Sequence, residues 1–254
     1  MILDRLQLVR MEVLKLRRRR GLMAMALLIA VGSIGVLFAV RAARHGADPL
    51  HVPPAGGIRT FEDATDFLGM IAIVIGAMIG ATAGAGDAEL GTLRDALATG
   101  RSRLALFGSR AAAAVFMTAA ILVVSTALVT TLSLMLAGSA PVPSLSELVQ
   151  RDAAVLGFAV SSALVAAGVA TFTRSRGPVM ASLIAFGALI SQVLIHVSFL
   201  GNVRVALPLV AFERVAGDAI SGLHVSAPTG IAVILAWAGA AVAAGGWWAR
   251  RVEV

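Results

Sequence analysis

F-L-G-M-I-A-I-V-I-G-A-M-I-G-A-T-A-G-A-G, residues 67–86, runs directly into D-A-E-L-G-T-L-R-D-A-L-A-T-G-R-S-R-L-A-L-F-G-S-R, residues 87–110. The first stretch has no charged side chain, and about 20 residues at a rise of 1.5 Å each cross a hydrocarbon core of about 30 Å. It reads as a membrane span. The second stretch is polar and charged, and it separates that span from the next apolar run, so it is where the chain meets an aqueous partner. Five further runs have the length and lack of charge of a span: residues 22–40, 111–138, 153–173, 178–200 and 229–249. The expected fold is an all-α membrane protein of six spans in a single domain, residues 1–254.

Composition agrees: 59% of the 254 residues are hydrophobic and 14% charged, outside the range of soluble domains. A net charge of +7 would suggest nucleic acid in a soluble chain. In a membrane protein it sets orientation, so no nucleic-acid partner is expected. With the N-terminus inside, Arg5, Arg10, Lys15, Arg17 to Arg20, Arg94, Arg101, Arg103, Arg110, Arg174, Arg176, Arg250 and Arg251 fall on the inner side. Arg41, Arg44, Arg59, Arg151, Arg204 and Arg214 fall outside, giving 15 against 6. Both termini and residues 87–110 are therefore expected in the cytoplasm. Abundant Ala, Gly and Arg with one Lys suggest a GC-rich bacterial genome.

Residues 1–20 repeat Ile2, Leu6, Val9, Val13 and Leu16 among Asp4, Arg5, Arg10, Glu12 and Lys15, then end in Arg17, Arg18, Arg19 and Arg20. Apolar residues three and four apart make an amphipathic helix, expected to lie in the interface of the lipid bilayer with its basic face on anionic headgroups. A cleaved signal peptide is the alternative. The long amphipathic lead, and the lack of an A-x-A site close behind the apolar run, argue against it.

Gly76, Gly80 and Gly84 form a stripe that fits a packing seam, with a passage for substrate as the alternative. Residues 178–200 contain Ser182, Ser191, Gln192 and His196, the most polar set of any span; His196 sits near the outer end and reads as a satisfied polar residue before a ligand. Residues 201–228 are apolar but carry Arg204, Glu213, Arg214 and Asp218, too many charges for a span. Re-entrant short helices with an apolar dip at residues 205–212, or an ordinary amphipathic surface helix, both fit.

Several chemistries lack their residues. A P-loop needs G-K-[ST], and the single lysine lies in Leu14-Lys15-Leu16. With no Asp, Glu, Lys or Arg inside the six expected spans, ion-coupling carboxylates are missing. His45, His51 and His224 have no metal-ligand spacing, so no metal is expected. The absence of Cys removes thiolate chemistry and disulfides. An intramembrane serine hydrolase could draw on Ser33, Ser125 or Ser191 but has only His196 as a base within the expected spans. The chain is expected to be no enzyme and to bind no cofactor.

A carrier without an energy source implies a partner that supplies the work. Glu89-Leu-Gly-Thr-Leu-Arg94, then Leu97-Ala-Thr-Gly-Arg101-Ser-Arg103 and a long apolar run, resembles the E-x-G-T-L-R block of ABC type-two permeases. Arg10-Met-Glu12-Val-Leu-Lys15, leading into the four arginines, is similar to that family's N-terminal helix. The resemblance implies a membrane subunit of a bacterial ABC exporter, paired with a second permease copy or paralogue and with ABC ATPase subunits that carry ATP and Mg. It implies that residues 87–110 form a coupling helix, with Glu89, Gly91, Thr92 and Leu93 at the ATPase and Arg101 and Arg103 at the membrane edge. It also nominates Met78, Thr82, Phe186 and Gln192 for the translocation path. Arg110 stands where the family commonly has Lys, which keeps the charge but changes the donor geometry. Apolar spans without an ion site suit lipids, hydrophobic drugs or antimicrobial peptides alike. The alternative of another class is a non-transporting membrane anchor or immunity protein that binds through its outer loops.

Overall fold

A computed structural model describes residues 2–92, 100–218, 223 and 225–251. The described residues form helices and connecting turns, with no strand among them. The N-terminal helix α1 is Ile2–Arg18. The first span joins α2, Arg20–Leu27, through a π-helical turn at Leu28–Gly32 to α3, Ser33–Ala47. Then come α4, Ile58–Glu89, α5, Arg103–Met135, and α6, Leu145–Thr173. The fifth span joins α7, Arg176–Ile184, through a π-helical stretch at Ala185–Ile190 to α8, Ser191–Ile195. A 3₁₀ segment, Ser198–Ala206, and a short helix α9, Pro208–Ala216, precede α10, Ala227–Arg251. Six of these units are long and apolar enough to cross a membrane.

The helices outrun the apolar segments that announce them. At 32 residues α4 is about 48 Å long, well beyond the hydrocarbon core. Caps outside the apolar runs set these ends. Ser144 and Glu147 exchange bonds in a capping box, Glu147 N–H to Ser144 Oγ at 3.3 Å and Ser144 N–H to Glu147 Oε2 at 2.7 Å, so α6 starts well before residue 153. Gly56, Gly57 and Ile58 donate their N–H groups to the carbonyls of Leu136, Ser133 and Pro141 at 2.9, 2.8 and 2.7 Å. The start of α4 thereby satisfies the end of α5. The third span stops at Met135 rather than 138 and the fifth at Ile195 rather than 200, which puts His196 outside the helix and exposed.

These extensions correct the expectation of charge-free spans. Arg41, Asp63, Asp66, Asp87, Arg110, Arg151 and Asp152 lie on the long helices, and Arg110 and Arg151 are buried.

α4 is the axis of the bundle: 83% of its most apolar stretch is buried, against 22% for the first span, 18% for the fifth and 17% for the last. Lipid tails are as apolar as leucine, so close backbone approach has to hold such a helix in place. Gly76, Gly80 and Gly84 provide it. A Cβ on Gly76 would lie 2.9 Å from the Ala159 carbonyl oxygen and one on Gly84 2.5 Å from that of Ala167; one on Gly80 would collide with the Ala163 carbonyl. The glycine stripe is a packing seam against the alanines of α6.

α9 does not lie on the surface. Leu209, Val210, Ala211, Phe212 and Ala216 are buried, and Phe212 stacks on Phe158 of α6 with ring centroids 5.0 Å apart. Its ring fills the space that a side chain at Gly69 would need. Pro208 opens the helix and Gly217, at φ 109°, closes it. Of the two readings of residues 201–228, insertion among the helices describes α9.

Candidate functional site

The polar stretch after α4 begins with a helix stop. Thr92 N–H donates to the Asp87 carbonyl at 3.0 Å and Gly91 N–H to the Ala88 carbonyl at 3.2 Å, with Gly91 at φ 70°. This is a Schellman motif, and Gly91 supplies the left-handed residue it needs. The Gly-Thr pair of the motif thus has a backbone duty: it turns the chain out of α4 and leaves Leu90, 66% exposed, at the corner. Leu93 lies outside the described residues. The described residues continue from Gly100, and Ser102 starts α5 by accepting the Ala105 N–H at 3.2 Å.

Two carboxylates fasten this corner to the rest of the bundle. Asp87 Oδ2 accepts from Arg110 Nη2 of α5 at 2.5 Å and from Lys15 Nζ of α1 at 3.2 Å, while Lys15 also reaches Glu12 Oε1 at 2.8 Å. The Arg110 and Asp87 side chains are 9% and 12% exposed, so losing either one leaves a desolvated charge. Lys15 is half exposed, and its pairs are worth at most about 1 kcal/mol. Glu89 accepts the Arg176 N–H at 2.7 Å on Oε1 and faces Arg176 Nε at 3.2 Å on Oε2. It therefore caps the start of α7, where a negative charge is favoured.

The segment expected to meet a partner is thus tied at its root to α1, α5 and α7. Glu89 pairs with Arg176 while staying partly exposed. Leu90, Gly91, Thr92 and Arg101 face outward, and Arg103 is half buried. Asp87, Arg110 and Arg176 have roles that the sequence does not make apparent. Asp87 and Arg110 bound the polar stretch, and that is the only signal it offers for their pairing.

α1 is docked rather than merely adsorbed. Leu8, Glu12 and Leu16 are buried, and the helix packs on α5. Arg17, Arg18 and Arg20 are exposed, while Arg19 is half buried with its guanidinium beside Gly86. Leu6, Met11 and Leu14 stay exposed, while Leu16 of the expected apolar face is buried.

At the opposite end of the bundle Arg151 gathers the acids. It donates to Asp218 Oδ1 at 2.5 Å, Asp66 Oδ1 at 2.8 Å and Thr65 Oγ1 at 3.4 Å, with Glu62 Oε1 at 3.8 Å. Arg151 thereby joins α4 and α6 to the turn after α9. Gln150 adds a bond to the Val215 carbonyl at 3.0 Å. Burial, then the nearby Asp218 and Asp66 carboxylates, push the Glu213 carboxyl above the usual range. Arg41 ties α3 to α4 through Asp63 at 2.7 Å and Thr60 at 2.9 Å.

Of the four residues nominated for a path, Phe186 alone lines the cavity beside α9. Phe186 lines an apolar cavity of about 60 Å³ with Ile73, Phe158, Leu209 and Trp237. Met78 and Thr82 are buried in α4 away from that lining, and Gln192 is half exposed on α8. No protein-family model matches the chain, and no curated protein matches it.

Proposed function

We propose that this chain is the membrane-spanning permease subunit of an ATP-driven ABC exporter, coupled through residues 87–110 to a separate ATPase subunit that binds ATP and Mg. The chain works with a second permease copy or a paralogue in a bacterial inner membrane, with both termini in the cytoplasm. One observation carries the reading. The corner at residues 87–92 presents an exposed Leu90 to the aqueous phase and is pinned by Asp87 and Glu89 to α1, α5 and α7. A push on that corner is delivered to several helices at once, which is what rigid-body coupling requires. The 15-to-6 excess of Lys and Arg supports the cytoplasmic side for it.

The cysteine-free sequence makes the test direct. Thr92→Cys places a single thiol on the exposed corner. In native membranes, a thiol-to-amine cross-linker is expected to join it to a soluble ATPase, and Val36→Cys, exposed on the apolar surface of α3, is not. Equal labelling of the same protein from both positions, or none from Thr92→Cys, would remove the corner as the docking point.

A further inference from the structure

We propose that the cleft between α1 and the first turns of α5 binds one anionic phospholipid of the bilayer, its phosphate at Arg101 and Arg103 and an acyl chain along Leu8, Val9 and Leu104. This rests on the multi-pass membrane fold and not on the transporter reading. The cleft encloses about 310 Å³. Leu8 and Val9 form the α1 wall, Leu104, Ala105 and Gly108 the α5 wall, and Ser102 the polar edge.

The lining on both walls is short of polar side chains, which suits a chain of methylenes lying along it. Ser109 Oγ donates to the Leu106 carbonyl at 2.9 Å, and Ser102 Oγ accepts the Ala105 N–H at 3.2 Å, which leaves the Ser102 hydroxyl proton to donate at the polar edge. Leu8, Val9, Leu104, Ala105 and Gly108 reward an apolar guest. Among the described residues, charge flanks the lining in sequence: Arg101 and Arg103 bracket Ser102, and Arg10 follows Val9 and is exposed. An apolar slot with a cationic rim, beside a helix whose Leu6, Met11 and Leu14 are also exposed, complements a lipid with a negative headgroup.

Gly108 offers a blocking variant. A Cβ there meets nothing within 4 Å, so Gly108→Leu fills the slot without striking the backbone. The full chain in mild detergent is titrated with phosphatidylglycerol and with phosphatidylcholine and read by native mass spectrometry. The wild type is expected to retain one phosphatidylglycerol in preference to phosphatidylcholine. Arg101→Gln and Arg103→Gln each lower that affinity roughly fivefold and lower that of phosphatidylcholine less, because its choline cation already offsets the phosphate, while Gly108→Leu loses both lipids. Excess inorganic phosphate leaves the adduct in place, because the acyl chain contributes. Equal retention of the two lipids by the wild type, wild-type retention by Gly108→Leu, or displacement by phosphate would each overturn the proposal. If Gly108→Leu melts early, a photoactivatable phosphatidylglycerol on the wild-type chain decides. Adducts at residues 8–9 and 104–108 support the site, and adducts confined to other helices refute it.

Discussion

Gly80→Leu is expected to stop α4 from seating on α6 and to cost about 3 kcal/mol or more. Extra methylenes in a packed core cost about 1–3 kcal/mol where side chains can rotate aside. At Gly80 the obstacle is the Ala163 carbonyl in the backbone of α6, which cannot rotate aside, so the helices themselves must part. Thermal unfolding of the purified chain in detergent should show a large drop in midpoint or outright aggregation. Gly157→Leu is the control, because a Cβ at Gly157 meets nothing within 4 Å. A Gly80→Leu chain that melts with the wild type would mean that the seam does not hold the bundle together.

Arg151→Met carries the second large effect. The side chain is 8% exposed and compensates Asp66 and Asp218, which are 45% and 33% exposed. Removing one member of a fully buried pair costs about 3–5 kcal/mol. Partial solvation of the acids reduces that here, and about 2 kcal/mol is expected in the same unfolding measurement. Adding Asp66→Asn and Asp218→Asn should recover much of the loss, since the uncompensated charges are then gone. A triple variant no more stable than Arg151→Met would assign the damage to lost packing of the arginine stem.

The same contacts mark how far the sequence could be read. Six spans were legible because a charge-free run of about 20 residues has few other uses. Their ends were less so. The Ser144 and Glu147 capping box was present in the letters, but the docking of Gly56 and Gly57 onto the last carbonyls of α5 joins distant residues and leaves no local pattern. The glycine stripe declared a seam without naming the partner, although Ala159, Ala163, Ala166 and Ala170 of α6 supply the matching small face. Arg151 looked like a loop cation because it precedes an apolar run. Its burial depends on Asp66 and Asp218 arriving from two other elements.

Among the candidate site residues the division is similar. Glu89, Gly91 and Thr92 were singled out by resemblance, and the geometry gives them a cap for α7, a left-handed residue and a helix-closing N–H in turn. All three of these duties are internal to the chain. In the proposed coupling, outward recognition falls to Leu90, and no local pattern of letters sets that leucine apart from Leu93.

Purification of the chain from its native membrane in a mild detergent, with mass spectrometry of whatever accompanies it, tests the central claim most directly. The coupling account predicts a stoichiometric soluble protein containing G-x-x-x-x-G-K-[ST], present with the wild type and lost with Leu90→Glu, a variant at an exposed position that leaves the Asp87 and Glu89 contacts intact. Recovery of the folded chain with no ATPase, in a detergent that preserves a known complex of this kind, would contradict it and leave the anchor or immunity reading in its place.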